Sequence, residues 1–198
     1  MGSIHELGRE GLRRIEMKTT IVFIAAATLA GTAAAGTFFS EVESNNTIAT
    51  ANDIGIFDSP GGAMTLEGLI DQGDVDWFGF TLANTATLSF FAGFGTSGDG
   101  LMQIVAAGGD VIAFDDDSGI GLMPAIQIEN LSAGTYYLSF SGFGDVDAGS
   151  VASDELADGL GHSENFAYKI SVGFSVVPAP SALALMGLGG IVITRRRR

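Results

Sequence analysis

With 198 residues and a formal net charge of -14, the chain has room for one folded domain and short extra segments. It contains no cysteine, which excludes a disulfide framework, a thiol nucleophile and a thiolate metal site. Four of the nine Lys and Arg precede Thr19 and four close the chain, so 20 Asp and Glu between Gly36 and Val176 face Lys169 alone. A segment this acidic repels phosphate backbones, which argues against nucleic-acid binding, and attracts cations.

The first element is a secretion signal. Lys18 precedes the apolar run Ile21 to Ala30, and Ala33-Ala34-Ala35 follows before Gly36. A basic start, an apolar stretch and a small-residue cleavage site are the three parts of a signal peptide, with Ala33 and Ala35 as the cleavage determinants for signal peptidase. The run is too short for a membrane-spanning helix, the competing reading. Residues 1–35 are therefore expected to form a signal helix with an N-terminal extension, translation starting at Met1 or at Met17, and the mature chain begins near Gly36.

From Gly36 to Val176, short apolar runs alternate with Gly, Asp, Asn and Ser, and no stretch keeps a helical period. Strands are predicted over Met64 to Ile70, Trp77 to Leu82, Ala86 to Ala92, Met102 to Ala106, Val111 to Phe114, Ala125 to Ile128, Gly134 to Phe140 and Phe166 to Phe174. Gly108-Gly109-Asp110 reads as a hairpin turn. About eight short strands of this kind predict an all-β domain, a jelly-roll-like β-sandwich over 36–176. Phe78, Phe80 and Leu82 share one strand face, as do Tyr136, Leu138 and Phe140, so a phenylalanine-rich core is expected between sheets, with Trp77 packed at an edge.

Several motifs occur here in order. Glu41-x-Glu43-x-Asn45-Asn46-Thr47 is followed by Gly68-x-Ile70-x-x-Gly73-Asp74-Val75-Asp76-Trp77-Phe78-x-Phe80. Later come Gly109-Asp110-Val111-Ile112-Ala113-Phe114-Asp115-Asp116-Asp117, Ala133-Gly134-Thr135-Tyr136-Tyr137-Leu138 and Tyr168-Lys169-Ile170-Ser171-Val172. This series resembles bacterial pre-peptidase C-terminal domains over most of Ser40 to Val176. The resemblance implies a jelly-roll-like sandwich, attached to secreted proteases or standing in cell-surface proteins, and in collagenase relatives able to bind calcium and substrate.

Calcium takes six to eight oxygen ligands from carboxylates, amide carbonyls and backbone. Glu41, Glu43 and Asn45 alternate along one side of an extended segment, and Asp74 and Asp76 do so before Trp77. Where the two segments meet they make an oxygen cage, and the resemblance assigns calcium to these five positions. The plainer alternative is that Asp and Asn supply turn geometry. Asp115-Asp116-Asp117 is a second candidate, with Asp115 and Asp117 as ligands, because adjacent carboxylates repel unless solvated or metal-bound. Asp145 and Asp147 are a weaker one. His162 is the sole histidine left in the mature segment, in a polar loop, and no catalytic site is expected.

The last element is a tail over 177–198. Val177-Pro178-Ala179-Pro180 stops the preceding strand, since proline lacks the amide donor. The uncharged run Ser181 to Thr194 spans 14 residues, and Arg195, Arg196, Arg197 and Arg198 follow. It is short of the roughly 20 residues of a comfortable membrane helix, so a transient inner-membrane anchor is expected, with the arginines inside and the acidic domain outside. Proline motif, apolar helix and arginine cluster resemble the PEP-CTERM sorting signal, departing from it at Ala179, where the family has Glu. That resemblance implies processing by an exosortase, with a plain membrane anchor as the alternative.

Together these elements predict a non-enzymatic exported protein of the cell surface or extracellular matrix, stabilised by calcium, that associates with polysaccharide or a surface protein. The alternative is a glycan- or protein-binding accessory module like those of secreted proteases. Aromatics clustered on an exposed sheet face would mark that module, and a cleft gathering His162 with serine or carboxylates would mark a hydrolase.

Overall fold

Short alternating segments broken by turn residues favour strands over α-helices, and among the described residues they form ten strands in two sheets. The computed structural model describes residues 36–58, 60–93, 98–146 and 155–177. Its strands are β1 (Thr37–Ser40), β2 (Asn52–Phe57), β3 (Gly61–Ile70), β4 (Val75–Leu82), β5 (Ala86–Ala92), β6 (Gly100–Ala106), β7 (Val111–Asp115), β8 (Ala125–Leu131), β9 (Gly134–Gly142) and β10 (Phe166–Val176). One sheet runs β1-β3-β10-β5-β8 and the other β2-β4-β9-β6-β7. Only β6 and β7 are joined as a hairpin within a sheet, across the predicted Gly108-Gly109-Asp110 turn, where Ala106 accepts from Gly109 N–H. From β3 to β10 every other connection crosses between sheets, which is the connectivity of a jelly roll.

The eight expected strands are present, and the count is corrected to ten. The two additions, β1 and β2, pair in parallel with β3 and β4 at the sheet edges. β1 has only four residues, and β2 is interrupted where its register shifts between Asp53 and Ile56. Gly55 stands there at φ 97, a left-handed conformation that suits glycine, with its N–H donated to Asp53 Oδ1 at 2.9 Å. A four-residue strand and a bulged one leave no alternation to detect.

The predicted inward faces form the core. Phe78, Phe80 and Leu82 of β4, Tyr136, Leu138 and Phe140 of β9, Phe90 of β5 and Tyr168 and Ile170 of β10 belong to one buried cluster fed by both sheets. Phe57 stacks on Phe174 at 4.5 Å and on Phe80 at 5.3 Å, and Phe140 meets Tyr168 at 4.5 Å. Each fully buried aromatic of this kind contributes about 1.5–3 kcal/mol through surface removed from water.

Trp77 is corrected from an edge position to a buried one. It belongs to a second cluster on the outer face of the β4 sheet, with Val75, Leu101, Val105, Val146 and Ala157. A single turn of 3-10 helix (Ile48–Thr50) supplies Ile48 to this cluster, and the segment after Glu155 supplies Leu156 and Ala157. Buried Gln103 fastens that segment: its Nε2 donates to Glu155 O at 2.8 Å, and its Oε1 accepts from Ala157 N–H at 3.0 Å. β4 is thus covered on both faces, which explains why Val75 and Trp77 are apolar on the face opposite Phe78, Phe80 and Leu82.

The signal run with Ala33 and Ala35, Asp147, and the tail residues Pro178, Pro180 and Arg195 to Arg198 lie outside the described residues. Val177 lies within them, its N–H donated to Thr85 O at 2.8 Å. Among the described residues no helix is long and apolar enough to cross a membrane.

Candidate metal centre

The acidic residues before β2 and at the start of β4 meet because β1 pairs with β3, and because Trp77 N–H donates to Asn45 O at 3.0 Å. One oxygen from each of Glu41, Glu43 and Asp76 lies within 4.8 Å of the others. Glu43 is exposed, Glu41 half-buried and Asp76 fully buried, so the cluster opens to solvent on the Glu43 side.

Two of the three are held in place from several directions. Glu41 Oε1 accepts from Leu69 N–H at 2.7 Å, and Glu41 Oε2 accepts from the Tyr168 hydroxyl at 2.9 Å. The same hydroxyl lies 2.7 Å from Asp76 Oδ2. One hydroxyl hydrogen cannot serve both carboxylates fully, so the two compete for the single donor that Tyr168 offers. Gly68 makes the approach feasible, since a side chain there would run into the Glu41 carboxylate and the Tyr168 hydroxyl.

The electrostatics follow from that crowding. Burial, reinforced by the Glu41 carboxylate, pushes Asp76 up to about 10. Glu43, though exposed overall, is raised by partial desolvation of its carboxyl and then by the charges of Asp74 and Glu41, although the Asn45 backbone N–H opposes the shift. Burial also pushes the Tyr168 hydroxyl up, with Asp76 and Glu41 adding to it. Asp76 Oδ1 and both polar atoms of the Asn45 amide are buried without a hydrogen-bond partner. An orphaned carboxylate oxygen costs about 1–3 kcal/mol or more, a cost that a cation bound at that oxygen would remove. An all-oxygen set of carboxylates and an amide fits calcium better than zinc or copper.

The other expected residues fall into place differently. Asp74 lies beside the cluster but is committed to the loop: its Oδ1 accepts from Asn46 Nδ2 at 2.7 Å. Burial and the Glu41 charge raise it, against the Asp71 backbone N–H. Asp115 Oδ2 accepts from Ser118 N–H at 3.1 Å and Ala125 N–H at 2.7 Å, while Oδ1 accepts from Ser118 Oγ at 2.6 Å. Asp117 is exposed. Asp145 accepts from Ser141 Oγ at 2.7 Å and from Asp158 N–H at 3.3 Å.

His162 is corrected from a polar loop residue to a buried post. Its Nε2 lies 2.7 Å from Asp74 O, and its Nδ1 accepts from Glu164 N–H at 3.2 Å. With Nδ1 accepting, Nε2 carries the proton and donates it to the carbonyl, so neither nitrogen is free for acid/base work. Sequence reasoning missed Tyr168 as a member of the site. Its signal was an inward position on β10 between Phe166 and Ile170, where a phenol must find a partner for its hydroxyl.

No protein-family model and no curated protein matches the chain. Among solved structures it is similar to the pre-peptidase C-terminal domain of a Bacillus anthracis collagenase, at 20% identity and a TM-score of 0.39, over 62% of this chain and 93% of that one. It is also similar to PliG of Aeromonas hydrophila, a periplasmic inhibitor of g-type lysozyme, at 12% identity and a TM-score of 0.42, over 63% and 97%. PliG of Salmonella Typhimurium gives 14% identity and a TM-score of 0.33, over 63% and 97%. Likeness at this level assigns no function.

Proposed function

We propose that the chain is an exported, non-catalytic protein of the cell surface or extracellular matrix, whose sandwich is braced by calcium held by Glu41, Glu43 and Asp76, with the Asn45 amide completing the shell and Asp74 adding negative charge beside it. The observation that carries this reading is a buried carboxylate, Asp76, with one oxygen unpartnered and two further carboxylates converging on it. Calcium would supply positive charge in place of the proton that burial favours on Asp76. The protein's residues supply the frame: Tyr168 and Leu69 orient Glu41, and the Asn45 loop holds Glu43 over the open side.

Export rests on the signal-like run, and surface sorting on the proline, apolar and arginine tail, which an exosortase would process. A non-catalytic role is supported by His162, whose two nitrogens are both committed. Association with polysaccharide or a surface protein remains part of the proposal. The exposed aromatics among the described residues, Phe38 and Phe143, stand on β1 and on the loop after β9, and they form no platform on a sheet face.

Thermal melting of the chain with increasing calcium tests the brace. A ligand bound only by the native state stabilises it by about 2.7 kcal/mol at a hundred times Kd, so the midpoint should climb by several degrees. An unmoved midpoint at millimolar calcium removes the site.

A further inference from the structure

The register of the strands sorts the loops into two poles. β3 ends at Ile70 beside the start of β10 at Phe166, and β9 ends beside the start of β6, so the loops after β3, β5, β7 and β9 share one pole. The chain leaves β10 at the other, where Val176 and Val177 are bonded to Pro60 and Thr85.

The first pole exposes large apolar side chains that the fold does not use. Leu160 is 81% exposed, Ile120 59%, Leu122 55% and Phe143 45%. Three of them are gathered by backbone contacts: Phe143 N–H donates to Asp99 O at 2.9 Å, Gly100 N–H donates to Leu122 O at 3.1 Å, and Gly161, next to Leu160, abuts Gly144. Carboxylates surround them. Asp99 N–H donates to Glu164 Oε2, and the Asp99 carboxyl is pushed above its usual range by burial and then by the charges of Glu164, Asp116 and Asp117. Exposed apolar side chains gathered on one surface mark an interaction site, and the charge around them selects its partner.

We propose that this pole docks a cationic protein segment that brings apolar side chains with its lysines or arginines, the apolar groups covering Leu122, Phe143 and Leu160 while the cations meet Asp99, Asp116, Asp117 and Glu164. Charge disfavours the folded domain of a second copy, anionic lipid and nucleic acid as occupants. The folded domain of a second copy would bring like charge, since Lys169 is its lone cation and is paired with Glu67 at 3.2 Å. Anionic lipid and nucleic acid are repelled for the same reason.

The test uses the full chain in chelator, so that no bound cation competes with the peptide. A labelled peptide of alternating lysine and leucine is titrated by anisotropy beside a lysine-serine peptide of equal length and charge. The leucine peptide should bind about tenfold more tightly, a difference of about 1.4 kcal/mol. Carbodiimide coupling should join its lysines to Asp99, Asp116, Asp117 or Glu164. The double substitution Phe143→Ser with Leu160→Ser, at exposed positions, should reduce it to the lysine-serine level without shifting the melting midpoint. Equal affinity for the two peptides, coupling centred on Asp58 and Asp110 at the opposite pole, or full affinity in the double variant would each overturn the docking surface.

Discussion

Asp76 and Asp115 belong to the two acidic runs that stand out in the sequence, and the fold treats them in opposite ways. Asp115 has three hydrogens aimed at its oxygens, from Ser118 and Ala125, and closes the turn that leads into β8. Asp76 lies deeper, has the Tyr168 hydroxyl on one oxygen and no partner on the other, and faces Glu41 and Glu43. Local density of acid is higher around Asp115. What separates a turn former from a cation ligand is the supply of nearby donors, because a carboxylate fully served by N–H and O–H groups gains little from a metal.

The largest expected effect breaks this contrast at Asp76. Asp76→Asn keeps the shape and removes the buried charge, so it should abolish the calcium-dependent rise of about 2.7 kcal/mol while leaving the calcium-free protein at least as stable as the parent. Calorimetry with calcium and with chelator reads both halves. A retained calcium response in this variant would remove Asp76 from the site.

Next in size is the pH dependence of the calcium-free protein. Asp76 is raised in the fold above its unfolded value near 4. Its contribution to stability is therefore fully present below that value, and it is lost as pH rises toward the folded value, by at most about 1.4 kcal/mol per unit. Melting in chelator should show a midpoint that falls between pH 5 and 8 relative to the Asp76→Asn variant. Saturating calcium should flatten the difference, because the cation replaces the proton.

Asp115→Ala sharpens the comparison from the other side. Removing an acceptor of three hydrogen bonds should cost about 1–3 kcal/mol in both calcium and chelator, with the calcium-induced shift unchanged. If the shift shrinks instead, Asp115 belongs to a cation site after all. The smallest effect is expected for Tyr168→Phe, which removes the hydroxyl shared by Glu41 and Asp76. It should cost about 1 kcal/mol in chelator and less in calcium, where the cation holds the carboxylates together. Equal losses in both conditions would mean that the hydroxyl serves packing alone.

Strands β3 to β10 were legible in the sequence because each is an apolar run bounded by turn residues, with an alternating face in several, as Phe78, Phe80 and Leu82 show. β1 and β2 were not, since parallel edge pairing over four residues, or across a bulge at Gly55, leaves no local pattern. Trp77 was misplaced for a related reason. Its outward position on β4 suggests exposure, and only the cover brought by Ile48 and Ala157 from distant segments buries it.

Of the candidate site, residue types and spacing pointed to Glu41, Glu43 and Asp76, because oxygen donors in alternation announce themselves one segment at a time. Tyr168 and His162 join from β10 and from the loop before it, 127 residues after Glu41 in the case of the tyrosine. What the sequence alone determined is the chemistry on offer: an acidic, cysteine-free, alternating chain able to form a sandwich. Which carboxylates are starved of donors, which are satisfied, and which loops share a pole with exposed leucines was decided by tertiary structure, since those properties depend on neighbours that no local spacing encodes.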